Sequence, residues 1–450
     1  MYARVQKVAI VLVVVCLSWS VAAKELRTTK PEREGMSSQR LDRLTDLMEA
    51  RVADGTMIGG LGMIARNGKI VYHETYGQAD REANRAMSED AIFRIYSMSK
   101  PITAVALMML YEEGKFSLND PIARYIPQLA DLKVASSTAG GETGIISDGT
   151  TSRTLGEGDA SLVGQTRKPG RQPTIKDLLT HTAGFTYGVF GNTEVDQAYR
   201  EVGILDSAKT LEEFVTDLGQ IPLQYEPGTK WHYSVAVDVQ GRLVEVLSGM
   251  KFGEYLKARI FEPLDMPDTS FTIDPEKLGR LAQMYSPEGL TGLNFFEAAK
   301  GPGLDVAPAS ASESYINGGA FEGGGGGLLA SARDYMRFSQ MLLNGGELDG
   351  VRLLSPKTLE LMTANHLGDI PMGFNGKGAG FGLGFGIVVD PAGVGETGSA
   401  GEYNWGGAAG TTFWVDPVEN LIGLFMVQSI PHRTRLRSEF KVMVYQAVVE

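Results

Sequence analysis

Cysteine is nearly absent from this chain of 450 residues, since Cys16 is the single copy. It lies in an amino-terminal segment that we expect to be removed, so the mature chain would have neither disulfide bonds nor thiolate catalysis. Histidine is also scarce, with five copies, and no His-Glu-x-x-His motif or pair at metal-ligand spacing occurs. We therefore expect no zinc site, no other metal and no cofactor.

Blocks of lysine or arginine are missing too, and the net charge is −12 at pH 7. This charge argues against a nucleic-acid partner. Residues 8–23 carry no charge, follow Arg4 and Lys7, and end in small residues up to Ala23. This pattern predicts a signal peptide over 1–23, cleaved near Ala23, and an exported, periplasmic or secreted protein with no stable membrane span. A membrane anchor is the alternative, but the uncharged stretch is short for a span.

Apolar periodicity predicts the main elements at both ends of the chain. Residues 38–53 have helical spacing, and 58–66 and 69–76 flank the turn Asn67-Gly68 as a β-hairpin. Towards the carboxyl terminus three strands and a closing helix are predicted, at 381–390, 410–415, 421–428 and 438–449.

Strands at both ends with helices between them predict an α/β sandwich, in which an antiparallel sheet from both termini is flanked by helices. The α/β part would cover about 24–130 and 311–450, and an inserted, mostly helical domain about 131–310. Residues 134–172, rich in Gly, Ser and Thr, predict a surface loop or lid. The five glycines at 323–327 lack the lysine of a phosphate-binding loop, which favours a flexible entry to the next helix.

The chemistry is indicated by a serine three residues before a lysine, Ser97 and Lys100, at the start of an apolar helix. This spacing puts the hydroxyl and the amine on one helix face. A neutral amine there can take the hydroxyl proton and leave a nucleophile. Pro101 is tolerated only in a first helical turn, so Ser97 is expected at the helix N-terminus, where the dipole favours developing negative charge.

The same spacing recurs twice, at Ser248 with Lys251 and at Ser438 with Lys441. Ser248 lies at the carboxyl end of a predicted helix, where the dipole has the wrong sign. The Ser438 copy lies in the charged stretch 433–441, predicted to be a solvated segment that opens the last helix. Context therefore favours the copy at Ser97.

A group that shuttles a proton is also required, and Tyr233 is our candidate. It lies just before another predicted helix, and the ionised form of a phenol is stabilised by a nearby lysine ammonium. Tyr233 can then serve as general base for Ser97 and general acid for the leaving group. Ordinary interface packing is the alternative for Tyr233. No Gly-x-Ser-x-Gly elbow occurs, which disfavours an α/β-hydrolase triad, and His181 is interpreted as a structural residue at a helix end.

An oxyanion hole and a wall for the substrate are predicted near residues 405–411. Trp405, Gly406 and Gly407 precede a strand pattern, and glycines let a substrate lie against the backbone. The N–H of Ala408 can join that of Ser97 around the oxyanion. A plain turn before an edge strand is the alternative.

Together these segments resemble the serine β-lactamase and penicillin-binding protein superfamily, most closely class C β-lactamases and family VIII carboxylesterases. The resemblance covers most of residues 30–450 and implies a β-lactamase/transpeptidase-like fold. The roles it implies are acylated nucleophile for Ser97, proton partner for Lys100, general base for Tyr233 and second oxyanion donor for Ala408.

Two departures from the family pattern concern substrate binding. Trp405-Gly406-Gly407 stands in place of Lys-Thr-Gly, and Val235 in place of an asparagine. Both changes remove polar recognition of a charged amide and match the esterase branch, so these residues would line a site for small esters. We expect a serine hydrolase acting through an acyl-enzyme on a small-molecule ester or amide, of the carboxylesterase type.

Three other activities stay open on the same scaffold: β-lactamase, D-amino-acid peptidase and acyltransferase. A penicillin-binding or sensor protein that is acylated without turnover is an alternative of another class. The oligomeric state is not indicated by the sequence.

Overall fold

The computed structural model describes residues 26–136, 165–290, 297–373 and 376–450. The predicted signal peptide, Cys16 and most of the predicted loop at 134–172 lie outside the described residues. Every helix within those ranges is too short or too polar to cross a bilayer. The same ranges hold no group of three or more side chains that could bind a metal ion.

Helices and short strands succeed one another along the chain. The α-helices are α1 Ser38–Ala53, α2 Ser99–Glu112, α3 Ile175–Leu179, α4 Glu194–Glu201, α5 Leu211–Leu218, α6 Ala236–Ser248, α7 Phe252–Leu256, α8 Glu313–Asn317, α9 Ala332–Leu343, α10 Pro356–Thr363, α11 Pro391–Val394 and α12 Leu436–Tyr445. The strands are β1 Gly59–Arg66, β2 Lys69–Asp80, β3 Arg85–Ala86, β4 Ile92–Arg94, β5 Val134–Ala135, β6 Thr166–Arg167, β7 Tyr285–Pro287, β8 Leu304–Val306, β9 Leu329–Ser331, β10 Glu347–Leu348, β11 Val351–Arg352, β12 Ala379–Phe381, β13 Gly386–Val388, β14 Tyr403–Gly406, β15 Thr412–Asp416 and β16 Leu421–Val427. Short 3₁₀ and π-helical turns lie at Pro31–Glu34, Tyr96–Met98, Ile122–Arg124, Pro127–Leu129, Lys257–Phe261, Pro275–Arg280 and Ala309–Ala311.

One large antiparallel sheet has the strand order β12-β13-β14-β15-β16-β1-β2-β3. The first strand of the chain lies beside the last one, with Met63 of β1 opposite Leu424 of β16. This confirms the predicted antiparallel sheet built from both termini. Both central strands are buried along their whole length, which explains why their sequences, apart from the terminal Arg66 of β1, are apolar and do not alternate.

Helices cover both faces of this sheet. On one face Leu44 of α1 and Phe440 of α12 share a cluster with Phe425 of β16. On the other face Phe338 of α9 belongs to the main core together with Leu424 of β16. Each apolar side chain of this size contributes about 1.5–3 kcal/mol when fully buried. The sandwich is therefore held by apolar packing on both sides.

Helix α2 lies where the sheet meets the helices of the middle region. Along its length it packs against α6, and the 3₁₀ turn Tyr96–Met98 that precedes it contacts β14. The start of α2 is thus placed between the two parts of the molecule, where a cleft can be lined from both sides. Helices α3 to α7 all fall inside the predicted helical part, whose boundaries stay a prediction.

The single strand predicted over 381–390 is wrong. The structure has two strands there, because Gly382 N–H donates to the carbonyl of Phe385 at 2.8 Å and closes a turn between β12 and β13. Gly384 has a φ of +96°, and a Cβ at this position would lie 2.3 Å from the Cβ of Ala104 in α2. The close approach of α2 therefore requires the glycine and breaks the strand.

The charged stretch over 433–441 is not a solvated segment, contrary to the prediction. Helix α12 begins at Leu436, so Arg437 and Lys441 are four residues apart on one face. Lys441 is buried, and its Nζ donates to Oε1 of Glu402 at 2.7 Å. The charged side chains of this stretch therefore have different surroundings: Arg435 is exposed to solvent, whereas Lys441 is buried against a carboxylate.

Candidate active site

Ser97 lies in the tight turn that leads into α2, as expected from Pro101. The residue before it, Tyr96, has a φ of +42°, which is uncommon for a bulky side chain. Its hydroxyl donates to the carbonyl of Ala311 at 3.4 Å, and its ring packs edge-on against Tyr315. Backbone strain of this kind persists where the surrounding structure fixes it, and it is common at active sites. The half-buried Ser97 is thus held at a helix N-terminus.

Lys100 is 1% exposed and reaches Ser97 from the first turn of α2. Its Nζ donates to Ser97 Oγ at 3.3 Å, to Tyr187 Oη at 3.2 Å and to the carbonyl oxygen of Gly325 at 2.6 Å. All three acceptors are neutral groups. The amine is thus fixed beside the nucleophile by three neutral acceptors.

Tyr233 completes the predicted set, because its hydroxyl donates to Ser97 Oγ at 2.6 Å. Its ring centre lies 4.4 Å from Nζ of Lys100. The segment that carries Tyr233 is held by backbone bonds on both sides, from His232 N–H to the carbonyl of His181 and from Val235 N–H to that of Thr186. The structure therefore brings the predicted hydroxyl, amine and phenol into one cleft.

Aromatic rings surround the Tyr233 phenol. The rings within about 6 Å of its centre are those of His181, Tyr187, Phe190, Trp231 and Trp405. Such a shell keeps water away from the phenol and offers an apolar surface to a ligand. Trp405 Nε1 is buried without a hydrogen-bond partner among the described residues.

The predicted oxyanion segment begins in β14, which holds Trp405 and Gly406. Gly407 follows, and a Cβ there would lie 2.4 Å from the carbonyl oxygen of Ile95, two residues before Ser97. The glycine therefore lets the end of β14 lie against the backbone that carries the nucleophile. Ala408 packs on the same small apolar cluster as Tyr96. Its oxyanion role stays a prediction.

Val235 does not reach the surface of the cleft with its side chain. It is fully buried in the main core and stands directly before α6. Val235, two residues after Tyr233, is the residue from which α6 starts.

His181 is more closely connected to the site than its interpretation as a helix-end residue suggested. Its Nδ1 lies 3.3 Å from Oγ of Ser234, and its ring packs on Tyr233 at 4.9 Å between centres. Burial, followed by the charge of Lys100, lowers the pKa of His181 well below its ordinary value. A neutral imidazole that packs on the phenol supports its position and leaves proton transfer to other groups.

Arg437 was missed by the sequence reasoning. Its Nε donates to the carbonyl of Gly410 at 3.1 Å, and its Nη2 donates to that of Gly407. Burial lowers the pKa of this guanidinium to about 10, and the charge of Tyr233 acts in the opposite direction. Arg437 thus holds the turn that carries Ala408. No local sequence pattern marks it, since the contact joins α12 to the turn between β14 and β15.

Comparisons with known proteins show the family to which the chain belongs. A family profile described as Beta-lactamase matches residues 44–441. The chain is 32% identical to protein Rv1367c of Mycobacterium tuberculosis strain H37Rv over 386 residues, which are 84% of this chain and 87% of that protein. It is 29% identical to esterase EstB of Burkholderia gladioli over 393 residues, which are 86% of this chain and 90% of EstB.

The fold is similar to that of EstCE1, described as a hydrolase with promiscuous acyltransferase activity. The TM-score is 0.70 at 24% identity, covering 90% of this chain and 99% of that structure. With a serine, a lysine and a tyrosine in one cleft, and a family profile matched over most of its length, this chain belongs to the β-lactamase family of serine hydrolases.

Proposed function

We propose that this protein is an esterase that hydrolyses small, uncharged esters through an acyl-enzyme on Ser97. The observation that carries the proposal is the distance of 2.6 Å from Ser97 Oγ to Tyr233 Oη, with Lys100 Nζ 3.3 Å from the same oxygen. Both distances are within the reach needed for proton transfer to or from the nucleophile.

In the acylation step Ser97 Oγ attacks the ester carbonyl carbon. The ionised phenol of Tyr233, stabilised by the Lys100 ammonium, takes the hydroxyl proton. The carbonyl oxygen becomes an oxyanion, which the N–H groups of Ser97 and Ala408 would stabilise; losing one such donor typically costs about 3 kcal/mol of barrier. Collapse of the tetrahedral intermediate breaks the bond to the alcohol oxygen, which takes the proton from Tyr233 and leaves.

Deacylation repeats this sequence with water as the nucleophile. The phenolate of Tyr233 takes a proton from water, and the hydroxide formed attacks the acyl carbon. The bond to Ser97 Oγ then breaks, and the serine oxygen recovers the proton. The same three side chains therefore serve both halves of the reaction.

The side chains that line the cleft favour an uncharged ester as substrate. The shell around Tyr233 is aromatic, and Trp405 stands where the resemblance would place a lysine that grips a carboxylate. The guanidinium of Arg437 is committed to the carbonyls of Gly407 and Gly410. EstB, whose name describes an esterase, is similar over most of the chain.

The test is hydrolysis of a p-nitrophenyl short-chain ester by Ser97→Ala, with Ser438→Ala as the matched control from another Ser-x-x-Lys copy. We expect the Ser97 variant to lose at least about 10³-fold in kcat. We expect the Ser438 variant to keep wild-type activity. Retained hydrolysis in Ser97→Ala would overturn the proposal. One equivalent of product without turnover by the wild type would instead indicate a sensor-like protein.

Acyl transfer is a second candidate, favoured by the activity named for EstCE1. Water and an alcohol compete for the same acyl-enzyme, so the ratio of transfer to hydrolysis decides between the two functions. Product analysis with a primary alcohol as acceptor measures this ratio. Turnover of nitrocefin and of a D-Ala-D-Ala peptide, set against that of simple esters, tests the β-lactamase and peptidase alternatives.

Export of the mature chain belongs to the same proposal. It is supported by the basic start, the uncharged stretch at 8–23 and the small residues up to Ala23. Sequencing of the mature amino terminus is expected to read from about Lys24 in the exported fraction. An intact amino terminus in the cytoplasmic fraction would contradict it.

A further inference from the structure

The run of five glycines, Gly323–Gly327, lies beside Lys100 in the folded protein. At Gly325 a Cβ would lie 2.7 Å from Tyr187 Oη and 2.8 Å from Asp238 Oδ2. A side chain there would collide with both groups. The glycine therefore reflects a close approach of the backbone to Lys100 and its neighbours, not only a flexible entry to α9.

Gly325 joins Asp238 to Lys100. Its N–H donates to Asp238 Oδ1 at 2.9 Å, and its carbonyl oxygen accepts from Lys100 Nζ at 2.6 Å. Asp238 belongs to α6 and Lys100 to α2. One backbone residue is thus fixed by a carboxylate on one side and by the amine on the other, and the carboxylate acts on the amine through it.

Asp238 is buried, with 2% of its surface exposed, and its Oδ2 has no hydrogen-bond partner among the described residues. Burial raises the pKa of Asp238 to about 6, against the opposing effects of the Lys100 charge and the Gly325 N–H. A buried carboxylate oxygen without a partner costs free energy. Such costs are expected where a group serves function.

The titratable groups around Asp238 come from each neighbouring element. Lys100 faces it from α2, and its charge stabilises the carboxylate. Tyr187 faces it from the segment after α3, and burial, then Asp238, Tyr233 and Tyr315, raise the pKa of Tyr187 well above its ordinary value. Tyr187 therefore interacts electrostatically with both Asp238 and Tyr233.

We infer that Asp238 is a positioning residue that holds Lys100 towards Ser97 through Gly325 and sets the pH at which the Lys100–Tyr233 pair loses its proton. The inference rests on the proposed function, since it concerns the proton transfer assigned there to this pair. As a carboxylate, Asp238 adds a negative charge beside the Lys100–Tyr233 pair and so opposes loss of the proton from the Tyr233 phenol, which would create a second negative charge. Removal of its charge therefore moves the acidic limb of the rate profile to lower pH.

The test compares Asp238→Asn with Asp334→Asn. The Asn side chain keeps an acceptor for Gly325 N–H and removes the charge. Asp334 is a matched control, since burial also raises its pKa to about 6 while its Oδ2 accepts from Thr269 and the backbone of Asp268, outside the Ser97 cleft. The readout is kcat/KM for a p-nitrophenyl ester against pH, normalised to folded protein.

We expect the acidic limb of Asp238→Asn to move down by about one pH unit and that of Asp334→Asn to stay with the wild type. An unshifted limb in a folded, active Asp238→Asn would overturn the inference. If that variant does not fold, the rate of fluorophosphonate labelling of Ser97 in the wild type decides. We then expect the labelling rate to change in a step at about pH 6, where Asp238 titrates. A labelling rate that shows no such step overturns the inference.

These outcomes separate the two proposals. A wild type that hydrolyses esters and labels at Ser97, with no shift in Asp238→Asn, contradicts the part assigned to Asp238 alone. A wild type that neither hydrolyses esters nor labels at Ser97 overturns the proposed function, and with it the inference.

Discussion

Two buried lysines, Lys100 and Lys441, each follow a serine by three residues, yet their surroundings differ in kind. Lys100 donates to a serine, a tyrosine and a backbone carbonyl, all of them neutral. Lys441 forms ion pairs, at 2.7 Å with Glu402 and 3.6 Å with Glu396. The same local spacing therefore places one lysine beside the candidate nucleophile and the other in a structural ion pair.

The site around Lys441, here called the structural site, connects α12 to the sheet. Besides Lys441, Tyr445 contributes its hydroxyl, whose oxygen lies 3.0 Å from Glu402 Oε2 and 2.8 Å from Asp416 Oδ2 and whose single proton is shared between them. Burial raises the pKa of Glu402, and the Lys441 charge opposes this effect most strongly. The Lys441 ammonium is held in place by the carboxylates of Glu402 and Glu396. Partners supplied by tertiary packing, not the motif, therefore decide what surrounds each lysine.

Among the variants that compare the two lysine sites, the largest effect on activity is expected from Lys100→Met. Without the amine, Ser97 loses the hydrogen bond from Lys100, and the ionised phenol of Tyr233 loses the positive charge that stabilises it. We expect kcat/KM for a p-nitrophenyl ester to fall on the order of 10⁴-fold or more, as when one member of a catalytic unit is removed. Lys441→Met is the control; a comparable loss in activity per folded molecule there would remove the distinction between the two sites.

Tyr233→Phe is expected to lower kcat by about 10²–10³-fold, because the ring contact with Lys100 stays and only the proton carrier is lost. Tyr445→Phe removes the corresponding phenol from the structural site. It should leave the kcat of the folded enzyme unchanged and lower the melting temperature. Full activity in Tyr233→Phe would exclude the phenol as proton shuttle.

Arg437→Met is expected to lower kcat by about tenfold to a hundredfold with little change in KM. The variant loses the hydrogen bonds from the guanidinium to the two carbonyls of the turn that carries Ala408. Small displacements of catalytic groups have effects of this size. Arg437→Lys keeps a donor and should recover part of the rate. A rise in KM at unchanged kcat would instead indicate that the guanidinium binds substrate.

The smallest effect on catalysis, but a large one on stability, is expected from Lys441→Met. Removing the lysine leaves Glu402 buried without its counter-charge, which typically costs about 3–5 kcal/mol of unfolding free energy. Urea unfolding followed by fluorescence measures this loss. The double variant Lys441→Met with Glu402→Gln serves as control, since it should recover much of the stability.

Local signals predicted the elements that depend on neighbouring residues. Helix α1 has the predicted bounds, and the turn at Asn67-Gly68 has positive φ at both residues, as such hairpins require. The position of Ser97 before α2 followed from Pro101 alone. In each case spacing, turn chemistry or a proline restricts the backbone directly.

The contacts that the sequence did not predict depend on packing between distant segments. Asp238 acts on Lys100 through Gly325, and Arg437 reaches Gly407 from the last helix. These contacts join segments far apart in the chain, so no periodicity marks them. The wrong strand over 381–390 has the same origin, since only the approach of α2 shows why Gly384 interrupts it.

The central claim is that the hydroxyl of Ser97, supported by Lys100 and Tyr233, is the group acylated during turnover. Peptide mass spectrometry after a short fluorophosphonate pulse tests it directly in the wild type and in Lys100→Met. The account predicts one adduct, on Ser97, in the wild type and almost none in the variant. An adduct on Ser438 or another residue, or equal labelling of Ser97 in both proteins, would contradict it.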